Sequence, residues 1–415
     1  MSESQPARRK PGPKPRGPLR GEDIEGLKYF RLISSLLASL HDHADCPNRL
    51  LHYDQLGALV ILHFFNPVLT SLRAVQQASG LRNVQRKLGV RRTSLGSLSE
   101  SSRVFDPDLL KEIVEELAGR AAAEDAPKRP AGLGDDLRVI AMDGSLLDAI
   151  PRMAWALWLD DEHRAAKVHL EFDLLRGIPQ GATVTDGNGN EKQVLRERLA
   201  AGRLYVLDAG YGKYGLFEDI RRAKSSFVAR LHDNASYDVL EDRPLGDADV
   251  RSGVRFDRVV RLGSAMRRDA LSGPVRVVKV HVKNPPHRGL ARRRSRVSSK
   301  KTFRHRPAEY DLLLVTDRMD LPAESVALLY RYRWTIELFF RWFKCVLRFG
   351  HLMFESKRGV EILVYCALIA SLLVTLWTGR KPTKRTLEMV QLYFQGWAEL
   401  DELEAHIAGL KRNDG

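Results

Sequence analysis

The chain has 415 residues, of which 44% are hydrophobic and 29% charged. This composition excludes an intrinsically disordered chain and allows roughly two or three folded domains. The 67 lysine and arginine residues outnumber the 52 acidic ones, and the net charge of +15 favours an anionic partner such as nucleic acid over an unspecialised basic surface. The three cysteines are too few for a disulfide framework and lack zinc-ligand spacing, so we expect a cytoplasmic protein.

The first 125 residues are predicted to form a basic arm and a helical domain. Residues 1–22 include RRKPGPKPRGPLRG, in which basic residues alternate with prolines and glycines. This pattern is typical of a flexible arm that either contacts DNA phosphates or only improves solubility. Residues 23–125 place apolar residues three and four positions apart, which predicts helices. We expect this helical N-terminal domain to bind DNA.

Beyond the Pro/Gly-rich segment 125–136, the pattern becomes mixed α/β. The runs LRVIAMDG, AKVHLEFDLL, RLYVLDAGYG and KSSFVARL predict strands in a first core segment, 126–232. A β-rich insertion with a basic loop follows at 233–308. The strand EYDLLLVTD then opens a second core segment, 309–378, which continues as helix. The remaining residues, 379–415, are predicted to form a short helical tail.

One uncharged run, Ile362 to Gly379, is long enough to resemble a membrane span. Polar residues such as Tyr365 and Ser371 interrupt its apolar character, so a buried core helix is the favoured interpretation. The residues after Met1 have no apolar core of the kind that a secretory signal requires. We therefore expect no membrane association.

Two aspartates end predicted strands. Asp143 closes VIAMD before Gly144, and Asp208 closes LYVLD before Ala209. Catalytic groups in open α/β sheets tend to lie just beyond the carboxyl ends of the strands. If the two strands are neighbours, their carboxylates converge on one point. Taken singly, each aspartate is more often a turn residue.

A third acid, Glu337, lies in the cation-rich segment YRYRWTIELFFRWFKCVLR. On a helix, Tyr330, Arg333, Glu337 and Lys344 fall within about 60° of one another. Two further cations, Arg341 and Arg348, project close to this face, and we expect them to contact DNA phosphates as well. The opposite face is predicted to be buried and consists of Leu338, Phe339, Trp342, Phe343, Val346 and Leu347. The alternative is a solvated face on which Arg333, Glu337 and Arg341 form a salt-bridge ladder.

This segment resembles a known family. The spacing of Tyr330, Arg333, Glu337 and Lys344 matches the Y-R-E-K signature of bacterial insertion-sequence transposases, the insertion-sequence-four family. The blocks AMDGS, KVHLEFDLLRGIPQ, VLDAGYG and FVARL resemble the family's other blocks and follow the same order. The resemblance covers roughly residues 137–232 and 307–378. Two features depart from the family: Ala209 stands where arginine is frequent, and the C-terminal tail is short.

The resemblance implies an RNase H-like catalytic core in which Asp143, Asp208 and Glu337 bind two Mg²⁺ ions, with Mn²⁺ as a substitute. The implied reaction is two-metal phosphoryl transfer. Water cleaves the ends of the insertion sequence, and the freed 3′-OH strands then attack target DNA. The partners would be double-stranded DNA, both terminal inverted repeats and target, and a second copy of the chain in a homodimeric synaptic complex. The resemblance assigns phosphate contacts to Tyr330, Arg333 and Lys344.

Further DNA contacts are expected at two places. The loop 285–306 has nine lysines and arginines and no acid, and it either contacts the DNA backbone or is merely solvated. Its central arginines are Arg292, Arg293 and Arg294. Trp334 either packs at the rim of the core or, as the resemblance to family members that cut through a DNA hairpin suggests, stacks on a base turned out of the duplex.

Two other functions fit the same residues. The chain could be a non-catalytic DNA-binding protein derived from a transposase, acting as a repressor or host factor. It could also be a structure-specific nuclease with the same core but no strand transfer. The presence of all three acids, Asp143, Asp208 and Glu337, favours an active transposase over the non-catalytic protein.

Overall fold

The computed structural model describes residues 40–41, 51–149, 152–160, 163–263, 271–283, 309–347 and 352–412. These residues fall into two compact units. The sheet unit comprises 118–345 and 379–382, and the helical unit comprises the described residues before 118, between 346 and 378, and after 382.

Nine strands of the described residues form one sheet in the sheet unit. In chain order they are β1 (Arg138–Ala149), β2 (Arg164–Asp173), β3 (Ile178–Asp186), β4 (Arg203–Leu207), β5 (Ser226–Arg230), β6 (Tyr237–Arg243), β7 (Val254–Leu262), β8 (Val275–Lys283) and β9 (Glu309–Thr316). Across the sheet the order is β3-β2-β1-β4-β5-β9-β8-β7-β6. The central strands β1, β4 and β5 are parallel, and the other pairs are antiparallel.

Helices cover both faces of the central strands, which explains why those strands are almost continuously apolar. The helices of the sheet unit are α6 (Glu191–Glu197), α7 (Tyr214–Arg222), α8 (Asp247–Arg251), α9 (Ala323–Tyr332) and α10 (Trp334–Val346). On one face, Leu195 of α6 and Phe217 of α7 belong to a buried cluster with Ile140 and Tyr205. Phe339 of α10 packs against Phe172 of β2, with ring centroids 5.2 Å apart.

Strand β3 was not predicted. Its sequence, IPQGATVTD, contains Pro179 and Gly181 and lacks the regular alternation of a strand. It lies at one edge of the sheet, where proline is tolerated because the outer side of the strand has no ladder to maintain.

The described part of 233–308 forms β6, β7 and β8. These strands extend the central sheet through β9, so this part of the predicted insertion is continuous with the core rather than a separate sheet. The basic loop 285–306 lies outside the described residues.

The helical unit contains α1 (Tyr53–Phe65), α2 (Leu72–Ser79), α3 (Arg82–Leu88), α4 (Leu95–Val104), most of α5 (Asp108–Arg120), α11 (Lys357–Thr378), α12 (Lys384–Phe394) and α13 (Leu400–Arg412). Serine caps begin two of them, since Ser71 accepts a hydrogen bond from the amide of Ala74 and Ser94 from that of Ser97. Helix α11 packs against α1 and α4. The Ser356 hydroxyl, at the start of α11, donates to the Ser102 carbonyl at 2.8 Å.

Helix α11 contains the uncharged run noted in the sequence. By length and composition it could cross a membrane, but 89% of its most apolar stretch is buried in the protein. This agrees with the favoured interpretation of a core helix. The predicted second core segment, 309–378, differs from the observed grouping, because the contacts of α11 place residues 346–378 in the helical unit. Likewise, residues 118–125 group with the sheet, although they were assigned to the N-terminal domain.

Candidate active site

Asp143 and Asp208 lie side by side on neighbouring parallel strands. Ala141 of β1 is paired with Val206 of β4, and each aspartate follows its paired residue by two positions. The two strands are therefore neighbours, which is the condition on which the convergence of their carboxylates depended. The amide of Gly144 donates to Asp143 Oδ1 at 2.8 Å, and the amide of Gly210 donates to Asp208 Oδ1 at 2.8 Å. These hydrogen bonds orient both carboxylates where the parallel pairing of β1 and β4 ends. Asp208 follows the end of β4 as predicted, but Asp143 does not close its strand, because β1 continues to Ala149 in its pairing with β2.

Glu337 reaches this site through Arg333. The Nη2 atom of Arg333 donates to Glu337 Oε1 at 2.6 Å, and its Nη1 atom lies 3.7 Å from Asp143 Oδ2. The segment that we predicted as one helix is two helices, since α9 ends at Tyr332 and α10 begins at Trp334. Arg333 stands at the junction, and its guanidinium bridges the two carboxylates.

The charges of the site act strongly on one another. Burial raises the pKa of Asp143 to about 6; Arg333 counteracts this rise, and Asp208 adds to it. Burial alone would lower the pKa of Arg333, but the nearby Tyr330, Glu337, Asp143 and Asp208 raise it. One guanidinium is thus within electrostatic reach of all three predicted acids.

The donor set fits a hard divalent cation, which prefers carboxylate oxygens. The repulsion between Asp143 and Asp208 is also consistent with a cation site, since a cation between the two carboxylates would favour the charged form of both. Within the described part of the chain, no three His, Cys, Asp or Glu side chains are already arranged to hold a metal ion. Arg333 supplies the counter-charge to Asp143 and Glu337 instead.

Besides Arg333, two of the predicted DNA-contacting residues, Tyr330 and Lys344, lie near this centre. Tyr330 is half-buried, and its ring lies 5.8 Å from the Arg333 guanidinium carbon. Lys344 is half-buried too; burial lowers its pKa, whereas Asp148 and Asp143 act to raise it. Four predicted contacts lie outside the described residues: Arg348, Arg292, Arg293 and Arg294.

Trp334 is not a core residue, because 41% of it is exposed. The guanidinium carbon of the exposed Arg341 lies 5.8 Å from the centre of its ring. Trp334 and Arg341, about two turns apart on α10, therefore present an aromatic ring and a cation together to the outside.

One prediction for α10 was wrong. Leu338 was placed on the buried face but is 45% exposed. At 100° per residue, it lies about 200° round the helix from both Ile336 and Phe340, which are buried. The other residues predicted for that face are buried: Phe339, Trp342, Phe343, Val346 and Leu347.

Two further residues, Glu191 and Arg230, act on the site although they were not predicted. The charge of Glu191, the first residue of α6, raises the pKa of Asp143. Arg230, at the end of β5, lowers the pKa of Tyr330, although burial raises that pKa overall. Arg230 belongs to the block FVARL, and its position near the end of a predicted strand was the available signal. Glu191 follows the polar turn GNGN, which gave no signal.

Comparison with known proteins identifies the family. The transposase DDE domain family matches residues 134–373, more than half of the chain. A Sinorhizobium fredii protein named as a transposase is 30% identical over 50% of this chain and 52% of its own length. A Geobacillus stearothermophilus protein named as a transposase for an insertion sequence element is 22% identical over 82% of this chain and 83% of its own.

A solved structure of the piggyBac transposase in a synaptic complex with hairpin DNA has a TM-score of 0.38 and 11% identity, over 85% of this chain and 74% of that one. The chain spans about half the length of the first of these relatives and most of the second. The family match includes Asp143, Asp208 and Glu337 within its limits. The chain belongs to the DDE transposases.

Proposed function

We propose that the chain is an active transposase that cleaves the ends of an insertion sequence and transfers the 3′-OH strands to target DNA. The observation that carries the proposal is the register of β1 and β4, which aligns Asp143 with Asp208, together with the link of Asp143 to Glu337 through Arg333. Two divalent ions held by these carboxylates would activate the attacking oxygen and stabilise the leaving one. The family relationship supports divalent metal use, and we propose Mg²⁺.

The sheet supports an RNase H-like core as its framework. We infer that β3-β2-β1-β4-β5, with α6 and α7 in the connections between strands, forms this core, and that β6 to β8 belong to the β-rich insertion. The described helices before residue 118 support the proposed helical N-terminal domain, for which DNA binding remains a prediction. We propose that the working assembly is a homodimer on double-stranded DNA in the cytoplasm.

In this proposal the DNA phosphates approach the face that carries Tyr330, Arg333, Arg341 and Lys344. Lys344 lies within reach of the charge of Asp143, so a phosphate bound there would be next to the proposed metal site. Arg333 pairs with carboxylates in this structure, so its contact with phosphate remains a prediction from the resemblance.

Trp334→Ala is expected to leave first-strand nicking nearly normal but to slow the hairpin or second-strand step about ten- to a hundredfold. Stacking a base on an aromatic ring stabilises it by about 1–3 kcal/mol, which offsets much of the free energy of turning it out of the duplex. The rates of both steps are measured in single-turnover reactions on end-labelled DNA. Leu338→Ala, on the same helix and 45% exposed, is the matched control. Equal loss of both steps would contradict a stacking role.

Neutralising Arg292, Arg293 and Arg294 together is expected to weaken binding to all DNA sequences. Binding releases counterions from each phosphate that the protein contacts, so fewer are released when arginine contacts are lost. The slope of log affinity against log salt should therefore flatten by roughly one per arginine. The slope is measured by fluorescence anisotropy between low and physiological salt. An unchanged slope would identify the loop as solvated surface.

The proposed function is tested by incubating the purified chain with DNA that carries the inverted repeats flanking its gene. We expect cleavage at the repeat ends and joining to a target plasmid in Mg²⁺, and neither reaction when EDTA removes the ion. Binding without cleavage would favour the non-catalytic DNA-binding protein. Cleavage without joining would favour the nuclease.

A further inference from the structure

A fourth carboxylate lies beside the three predicted ones. A Cβ atom added at Gly144 would lie 2.6 Å from Oε1 of Glu191, so the carboxylate occupies space that only a glycine leaves free. Two features hold Glu191 in this position. The Asn190 side chain caps the start of α6 by accepting from the amide of Lys192, and Leu195 anchors the helix in the core. Because Gly144 follows Asp143 directly, Glu191 packs against the strand that carries the first predicted acid.

The cation that pairs with Glu191 has a second partner. That cation is Lys167 of β2, whose Nζ lies 3.5 Å from Oε1 of Glu191. The same ammonium group also donates to the carbonyl of Gly189 at 3.1 Å. The charge of Glu191 still acts on Asp143, whose pKa it helps to raise after burial and Asp208.

A second, independent observation is the hydroxyl group of Tyr211. Tyr211 is completely buried, and its hydroxyl has no hydrogen-bond partner among the described residues. Tyr211 belongs to the buried cluster that contains Met142, the residue before Asp143, and Leu195 of α6. Burial raises its pKa, the charges of Glu191, Asp143 and Asp208 raise it further, and Arg333 lowers it. A buried hydroxyl without a partner destabilises a protein, because it loses its hydrogen bonds to water and gains none in return. Such a group is retained where it binds something polar.

We propose that the Glu191 carboxylate and the Tyr211 hydroxyl form a polar pair that binds the hydration shell of the divalent ion held by Asp143 and Asp208. This inference rests on the proposed function. Mg²⁺ keeps several of its waters when it binds to protein, and groups that hold those waters strengthen the binding of the ion. Gly144 is the glycine that allows the carboxylate to approach, and Glu191 is a positioning residue.

The test is Mn²⁺ binding to the purified full-length chain without DNA, followed by electron paramagnetic resonance of the free ion. Glu191→Gln removes the charge but keeps the shape, and we expect it to weaken Mn²⁺ binding by about tenfold or more. Glu197→Gln, an exposed position on the same helix, is the matched control and should bind Mn²⁺ normally. Normal binding by Glu191→Gln would overturn the role of this carboxylate.

Tyr211→Phe separates a binding role from a structural one. Removing a buried hydroxyl that has no partner should leave the melting temperature of the metal-free chain unchanged or higher. The same variant should bind Mn²⁺ several-fold more weakly, because it lacks a group that holds a water molecule of the bound ion. A lower melting temperature with normal Mn²⁺ binding would assign the hydroxyl to the core and overturn its part in the proposal.

Gly144→Ala is a second route to the same site. The added methyl group meets the end of a flexible side chain, so it should displace Glu191 and weaken Mn²⁺ binding as Glu191→Gln does. If it acts only through Glu191, the double variant should bind no more weakly than Glu191→Gln alone. An additive loss would show that the methyl group disturbs Asp143 instead.

Asp143→Asn distinguishes this inference from the proposed function. If Asp143→Asn abolishes Mn²⁺ binding while Glu191→Gln and Tyr211→Phe leave it intact, the polar pair is overturned and the metal site stands. If Asp143→Asn also binds normally, both the metal site and the polar pair are overturned.

Discussion

Replacing Asp143 or Asp208 by asparagine, or Glu337 by glutamine, is expected to slow DNA cleavage in Mg²⁺ by at least about a thousandfold. Each substitution keeps the size of the side chain but removes a negative oxygen ligand. Because the three carboxylates act as a unit, the double and triple variants should lose little more activity than the single ones. The rates are measured under single-turnover conditions on labelled end DNA.

Binding to the same DNA should remain nearly normal in these variants, as measured by anisotropy at fixed salt, since phosphate contacts come from cations rather than from the acids. Asp238→Asn is the control, because Asp238 is an exposed acid on β6 at the far edge of the sheet. Substantial cleavage by any one of the three variants would remove that residue from the catalytic set. Loss of DNA binding together with cleavage would point to a folding defect.

Short-range patterns explain why much of this site could be predicted from the sequence. An apolar run that ends in aspartate located the end of β4 and the carboxylate of Asp208, whereas at Asp143 it located the carboxylate but not the end of β1, which continues to Ala149. Helical spacing likewise placed Arg333 and Glu337 together, and they form an ion pair at 2.6 Å. These relations involve residues four positions apart in sequence, or residues defined by the apolar run that precedes each of them.

Relations between distant segments could not be predicted in the same way. Glu191 contacts Gly144 across 47 positions of sequence, and neither residue belongs to a pattern that indicates the other. The Tyr211 hydroxyl is notable only because it has no hydrogen-bond partner among the described residues, and that property depends on the fold around it. Strand β3 depends on pairing with β2 rather than on its own propensity. The exposure of Leu338 depends on how much of α10 the neighbouring elements cover.

The second large effect is expected in the extension of the sheet, where Asp257 of β7 and Arg276 of β8 form a buried ion pair. The two side chains are 4% and 1% exposed. Arg276 donates from Nε and Nη2 to the two oxygens of Asp257, each at 2.6 Å. Its Nη1 atom donates to the carbonyls of Leu321 and Arg318 in the segment that leads into α9. The pair therefore ties β7 and β8 to the base of the helix that carries Tyr330.

Asp257→Asn is expected to destabilise this region by about 3–5 kcal/mol, because it leaves the buried guanidinium without its counter-charge. Amide hydrogen exchange is the suitable measurement, since it reports the opening of β7 and β8 separately from the helical unit. Exchange limited by this opening should accelerate by about a hundredfold to a few thousandfold, the equivalent of that free energy. The amides of α1 and α11, in the helical unit, should be unaffected.

The neighbouring pair of Asp242 and Arg258 supplies a matched control. It joins β6 to β7 with the same 2.6 Å separation, but Asp242 is 66% exposed and Arg258 33%. Asp242→Asn should therefore change stability by no more than about 1 kcal/mol. Equal effects of the two substitutions would show that burial does not determine the strength of the Asp257–Arg276 pair.

The double variant Asp257→Leu with Arg276→Met tests whether stability requires the ion pair itself or only the absence of an unpaired buried charge. Replacing both charges by apolar side chains removes the unpaired ion, and in other proteins such replacements are often neutral. Here the carbonyls of Leu321 and Arg318 would lose their donor, so we expect only partial recovery relative to Asp257→Asn. Full recovery would mean that the pair is dispensable. No recovery would mean that the hydrogen bonds to the segment before α9 account for most of the stabilisation.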